Sequence, residues 1–416
     1  MEGIDEDHDL EDDIASAMAD ANDADLLLLL MLMQLEESNR PFVHSRNRHV
    51  FYNMLSAECR RRRDRRIPRE ALVHPSMSNW VVLFGSGNDQ ALITATGFDH
   101  ETFRWMLPEF EEIYLNYTPN SRTGLIERKM AHRGRPRHLD AAACLGLTLF
   151  WTRSQGAEYS LAMHFGITAT PCSVWIRFGR RILVQILRNK REASVSIPTE
   201  AEIYSFVEAI GRRHPLLWIE MVMGAMDGLK LYVEASGDEA VQSRFYNGWT
   251  HDHYVSNVFY FVPDGTIRFM CINCPGTMHD SLVCEYGGIY RKLERLWNMY
   301  GVKSAVDSAF CASRGQWMIK SVSDITQVSD RRAASLIEEA MSLRQTSEWG
   351  MRGLQGSFPR LKDRFKIEDF GERKIILEMI VLLYNARANK VGINQIRNTY
   401  MPWLESTDNA ADWNFN

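Results

Sequence analysis

The segment His253-Tyr-Val-Ser-Asn-Val-Phe-Tyr-Phe-Val262 sets β-branched and aromatic residues at nearly every position. Pro263-Asp-Gly265 then stops it, and Thr266-Ile-Arg-Phe-Met-Cys-Ile272 resumes the same character. Such side chains fit a pleated, half-buried surface, and a Pro-Asp-Gly break between two such runs predicts a hairpin. Upstream, Met221 to Met226 is a short apolar run ending at Asp227-Gly228, and Leu229 to Val233 continues as extended chain. Downstream, Leu282 to Tyr300 has helical spacing, and Val302 to Val306 reads as a strand that ends at Asp307. Three strands, a helix, a further strand and later helices define an α/β domain over residues 215–402.

Asp227 and Asp307 thus close two apolar strands, and Glu348 follows on the helix-like Arg344-Gln-Thr-Ser-Glu-Trp-Gly-Met-Arg352. When the sheet pairs, an Asp on the central strand and one on its neighbour come within a few ångströms. A Glu on a packed helix completes an oxygen cage for two divalent cations roughly 3.5–4 Å apart. Three anions so close repel, so the empty cage is expected to be strained and metal-hungry. Acids at these places in this element order predict an RNase H-like nuclease domain. Asp280 follows the turn at Pro275-Gly276 and is expected to support the ligands or cap the helix from Leu282, with direct metal ligation left open. Glu338 and Glu339 compete with Glu348 for the third position. Arg344 and Arg352 flank Glu348 by one turn, either as a cationic surface for a phosphodiester or as ordinary ion pairs of about 0.3–0.5 kcal/mol each.

The formal net charge of −5 argues against a DNA-binding chain until the charges are located. Residues 1–37 hold thirteen acidic residues and no Lys or Arg; without those thirteen charges the remainder stands at +8. The reading is an acidic leader (1–40), a basic linker (41–96), a helical region (97–214), the α/β domain and a tail (403–416). Within the linker, Arg60 to Arg69 places seven Arg in ten residues, which favours an anionic partner or a nuclear-import signal over a solvated helix face. In the helical region, Gly156 to Ile176 reads as a helix-turn-helix: Leu161, Ala162 and Phe165 share a face, Gly166 turns, and Thr168 or Thr170 caps the second helix. Arg177, Arg180 and Arg181 follow on that helix as candidate DNA contacts, the alternative being an ordinary helical hairpin. Arg133-Gly-Arg-Pro-Arg137 is either a minor-groove hook, through Arg133, Arg135 and Arg137, or a basic linker into the next helix.

Seven scattered Cys point to reduced thiols, and Cys271-Ile-Asn-Cys274, without a second ligand pair, reads as the end of a strand rather than a zinc site. Leu26 to Met33 is far shorter than the ~20 residues that cross a bilayer, and its acidic flank is unlike a signal peptide, so a soluble intracellular protein without membrane attachment is expected.

Asp227-Gly-Leu-Lys, Gln242-Ser-Arg-Phe-Tyr-Asn-Gly-Trp249, Pro275-Gly-Thr-Met-His-Asp-Ser281, Asp307-Ser-Ala-Phe310, Ser347-Glu-Trp-Gly-Met-Arg-Gly-Leu-Gln-Gly-Ser-Phe-Pro-Arg-Leu-Lys362 and Val391-Gly-Ile-Asn-Gln-Ile-Arg-Asn-Thr-Tyr400 resemble the successive blocks of PIF/Harbinger-type DDE transposases. The resemblance covers roughly residues 135–402 and leaves out the leader and the Arg cluster. It implies a nuclear enzyme that cuts and joins DNA with Mg²⁺ or Mn²⁺, with Asp227, Asp307 and Glu348 as its triad, and Asp280 either as a further ligand or in place of Asp307 in the acidic signature. It also implies a homo-oligomer handling two element ends and a Myb-like DNA-binding partner, for which the leader and Leu26 to Met33 are candidate surfaces. The alternatives are a domesticated DNA-binding or regulatory protein that keeps the fold, and a nuclease that cuts without joining.

Overall fold

The computed structural model describes residues 67–119, 126–128, 137–248, 250–310, 316–321 and 330–402. The acidic leader, the run from Leu26 to Met33, the Arg60–Arg66 cluster, Arg133, Arg135 and Trp249 lie outside the described residues.

Two short helices open the fold, α1 (Asn79–Gly85) and α2 (Asp89–Thr96). They fall in the stretch whose charge predicted a linker, yet Trp80 is buried and stacks on Phe84 and Phe165, and Leu92 is fully buried. Helix α3 (His100–Asn116) starts at an Asp99 cap. The antiparallel ribbon β1 (Tyr117–Pro119) and β2 (Ile126–Arg128) then interrupts a region expected to be wholly helical. Helix α4 (Ala141–Arg153) is capped by Asp140 and nearly all buried, and α5 (Tyr159–Phe165) ends at Gly166 with φ +64°.

The helix after that turn is α6 (Ala169–Leu187). Thr168 occupies its N-cap position without a side-chain capping bond. Its Trp175, Ile176, Phe178, Ile182, Leu183 and Leu187 are buried, and it packs between α4 and a later helix, α13 (Phe370–Lys390). The apolar faces read from the sequence are buried in the core.

Helices α7 (Glu200–Gly211) and α8 (Pro215–Ile219) lead into β3 (Val222–Tyr232), the central strand. The short helix α9 (Glu239–Phe245) and β4 (Tyr246–Asn247) precede the predicted hairpin, which is present as β5 (Asp252–Phe261) and β6 (Ile267–Pro275). The expected single helix over 282–300 is two, α10 (Asp280–Tyr286) and α11 (Ile289–Tyr300), separated at Gly287-Gly288. Strands β7 (Lys303–Val306) and β8 (Met318–Lys320) follow, then the long helix α12 (Arg331–Ser357), α13 and α14 (Gln395–Tyr400). No described helix is long and apolar enough to cross a membrane.

The main sheet runs β6-β5-β3-β7-β8, with the two residues of β4 also pairing to β5. β6 and β3 each pair antiparallel with β5, whereas β7 runs parallel to β3 and β8 parallel to β7. Parallel neighbours need a crossover connection, and α10 and α11 supply it between β6 and β7. Helix α12 packs against β3 and β7, and α13 against β6 and α6. The result is a mixed α/β domain joined to the N-terminal helices through one continuous core.

Candidate active site

Strand β3 does not stop at Asp227 as the apolar run suggested; it continues through it to Tyr232, with Asp227 paired to Phe259 of β5. What changes at Asp227 is burial: Val222 to Met226 are buried, and Asp227 is the first partly exposed residue. On the other side of β3, Met226 pairs with Val306, the last residue of β7. Asp307 follows directly, so the sheet register sets the two acids side by side.

Each carboxylate is held by nearby donors. The Gly228 N–H donates to Asp227 Oδ1 at 2.8 Å. Asp307 Oδ1 accepts from the Ser308 N–H at 2.7 Å and from the Ser321 hydroxyl at 3.0 Å. Burial pushes the Asp227 carboxyl up to about 6; the Gly228 N–H and the Arg344 guanidinium oppose that rise, and the charges of Asp280 and Asp307 add to it. Both neighbouring acids therefore act on Asp227.

Asp280 belongs to the same cluster. It is the first residue of α10, the N-cap position being His279, so it does not cap that helix as expected. Its carboxylate lies over Gly228: a Cβ there would be 2.3 Å from the Asp280 carboxylate carbon. Burial, and less strongly Asp307, raise its pKa, while Lys230 and His279 pull it down. Only a residue without a side chain lets Asp280 approach β3 beside Asp227. Gly228→Ala is therefore expected to fold with a loss of about 1 kcal/mol, since one carboxylate has to swing aside. Urea denaturation checks that value, and a loss above about 3 kcal/mol would mean that the crowding reaches further than this side chain.

Glu348 projects from α12, whose close approach to the sheet is permitted by Gly350 lying on the Phe261 ring. Arg344 Nη2 is 3.2 Å from Glu348 Oε1, and Arg344 Nη1 is 3.4 Å from Asp227 Oδ2. Arg344 thus spans the gap between the acid on the helix and the acid on the central strand. Glu339 is engaged elsewhere, accepting from the Leu216 and Leu217 N–H groups at 2.9 and 3.1 Å, and Glu338 is exposed. Among the described residues, no three acidic, His or Cys side chains lie close enough together to hold a metal ion.

Residues 226–385 match the family model described as DDE superfamily endonuclease. No curated protein and no solved structure matches the chain. The DDE endonuclease match spans Asp227, Asp280, Asp307, Arg344 and Glu348 and leaves the N-terminal helices outside it.

The donor set within the matched residues suits a hard divalent cation in kind, because every candidate ligand is a carboxylate oxygen. Arg344 provides an internal check, since a positive group already sits between two of those acids. Signals missed in the sequence include Arg344 as a partner of Asp227, Ser321 as a partner of Asp307, and Gly228 as the seat of Asp280. All three are contacts between distant elements.

Outside the DDE endonuclease match, three of the arginines expected to touch DNA are occupied within the fold. Arg137 donates to the Tyr114 carbonyl and, at 2.6 Å, to the Tyr117 carbonyl, with its guanidinium 4.3 Å from the Tyr114 ring centroid. Arg180 and Arg181 both pair with Glu372 of α13, and Arg180 also lies over Trp151 at 4.8 Å. Arg177 is partly buried, and Arg352 is exposed one turn beyond Glu348. Cys271 and Cys274 are buried thiols on β6 with their sulfurs 3.4 Å apart, which fits the reading of that pair as part of a strand.

Proposed function

We propose that residues 215–402 form an RNase H-like DDE nuclease domain of the PIF/Harbinger type, which cuts DNA at element ends and joins the cut ends to target DNA. The observation that carries this reading is the register of β3 against β7, which places Asp227 beside Asp307 with Asp280 over Gly228. The sheet order, three antiparallel strands followed by two parallel ones, is the order expected of that domain and supports it.

The divalent cations, Mg²⁺ or Mn²⁺, would be held by Asp227, Asp307 and Glu348 with Asp280 beside them. Bound there they would supply Lewis-acid stabilisation of the charge that builds on the phosphoryl oxygens. The protein's own contribution is positional. Gly228 and Ser308 N–H groups and the Ser321 hydroxyl engage one oxygen of each aspartate, and the second oxygen of Asp227 meets Arg344. Arg344 and Arg352, a turn to either side of Glu348, supply positive charge where the phosphodiester has to lie. Arg177, Arg133 and Arg135 are proposed as further DNA contacts. The proposed setting is the nucleus, as a homo-oligomer working with a Myb-like partner.

One observation favours the second reading, a domesticated DNA-binding protein without cleavage: Arg344 stands between Asp227 and Glu348. A nicking assay on duplex DNA in Mn²⁺ separates the two. The enzyme reading expects 3′-hydroxyl ends from the wild type and a loss of at least about 10³-fold in Glu348→Gln, the scale for removing one member of a group that acts as a unit. Binding without nicking, with the Myb-like partner supplied, would leave the second reading standing.

A further inference from the structure

We propose that Arg344 is a built-in counter-cation that holds Asp227 and Glu348 in register until divalent cations arrive, and that it must leave this position for them to be seated. The proposal rests on the reading of these carboxylates as the cation site.

Three observations lead to it. First, the two ends of the guanidinium reach acids on different elements, 3.4 Å to Asp227 on β3 and 3.2 Å to Glu348 on α12. An ordinary one-turn helix pair would engage Glu348 alone. Second, the Arg344 Nε is buried without a hydrogen-bond partner among the described residues. A buried unpaired donor is unfavourable, so the present seat is not one that the fold has fully satisfied. Third, Asp307 follows Val306, which pairs with Met226, and Asp280 lies over Gly228, so two further anions adjoin the strand acid that Arg344 contacts. A guanidinium fork suits this task because its donors diverge in a plane and meet two carboxylates at once.

The consequence is competition. A cation ligated by Asp227 and Glu348 needs the oxygens that Arg344 now holds, and the displaced guanidinium is free to swing toward a phosphate. Arg344 is in this sense a positioning residue, acting through the two acids it bridges.

The test is Mn²⁺ binding by the full-length chain without DNA, followed by electron paramagnetic resonance of free Mn²⁺, with thermal unfolding as a folding control. Arg344→Gln should bind Mn²⁺ about tenfold more tightly than wild type, the scale of losing one nearby charge. Arg344→Lys keeps the charge and should bind within about threefold of wild type. Wild-type or weaker affinity in a folded Arg344→Gln, with Asp227→Asn and Glu348→Gln still losing Mn²⁺, would overturn the proposal and leave the site reading intact. Unchanged Mn²⁺ binding in Asp227→Asn and Glu348→Gln would overturn the site reading and the proposal with it. Should Arg344→Gln not fold, the wild-type chain decides: the Arg344 Nε–Hε NMR resonance should shift in step with Ca²⁺ occupancy, and a resonance that stays fixed as the site fills would sink the idea.

Discussion

Asp227→Asn is expected to abolish strand cleavage and, in the same protein, to stabilise the fold at neutral pH. The side chains are nearly the same shape, so the difference is charge. Cleavage should fall by at least about 10³-fold because an amide is a poor ligand for a hard cation and cannot replace the central member of the acid group. The stability effect has the opposite sign. Asp227 is raised from 3.8 to about 6, chiefly by burial, so the folded chain holds its proton more tightly than the unfolded chain does. With the folded pKa above the unfolded one, ionisation opposes folding: stability falls as pH rises from about 4 to about 6, and the full penalty is present at pH 7. Two pH units amount to roughly 3 kcal/mol, and the partial exposure of the group together with the lost Arg344 contact reduces the expected gain to about 1–2 kcal/mol. Melting temperatures of wild type and Asp227→Asn in chelator should therefore separate as pH rises from about 4 to about 6 and stay apart by a constant difference above it. Parallel curves across that range would show that the carboxylate is better solvated than its position on β3 implies.

The parts of this fold that were legible in the sequence are those whose signal is local. The hairpin announced itself because residues 253–262 and 266–272 carry their own β character and turn chemistry, and Asp307 was placed because Val302 to Val306 is a self-contained apolar run. Where the signal is not local, the reading failed. Strand β8 has three residues, Met318 to Lys320, all only partly buried, and exists through its pairing with β7. Residues 79–96 sit in a stretch read as a linker from the basic cluster before them, but besides nearby Phe84 Trp80 packs on Phe103 and Phe165, which no window around residue 80 contains. The candidate site divides in the same way. Asp227, Asp307 and Glu348 could be named from the segments that carry them, whereas the Arg344–Asp227 contact joins residues 117 apart and the packing of Asp280 on Gly228 depends on how α10 crosses the sheet.

The arginines of α6 show most sharply how composition misleads, and they carry the second large effect. Arg177, Arg180 and Arg181 in a row resemble a DNA-facing stripe, but Arg180 is 6% exposed and its partner Glu372 stands 192 residues away on α13. Burial lowers the Arg180 pKa to about 10, with Glu372 acting against the drop. Arg181 takes the other oxygen of the same carboxylate. Glu372→Ala would strand a buried cation against Trp151 with a second cation beside it, and the expected cost is about 3–5 kcal/mol in urea denaturation. Removing the buried charge together with its partner, as in Arg180→Met with Glu372→Leu, should recover most of that loss, because the penalty comes from an uncompensated ion rather than from a missing attraction. Arg181→Ala separates the two roles directly. A phosphate contact contributes about one unit to the slope of log affinity against log salt, and a residue bound to Glu372 contributes none. An unchanged slope with reduced stability assigns the stripe to the joint between the helical region and the α/β domain; a slope lowered by one would return Arg181 to the DNA.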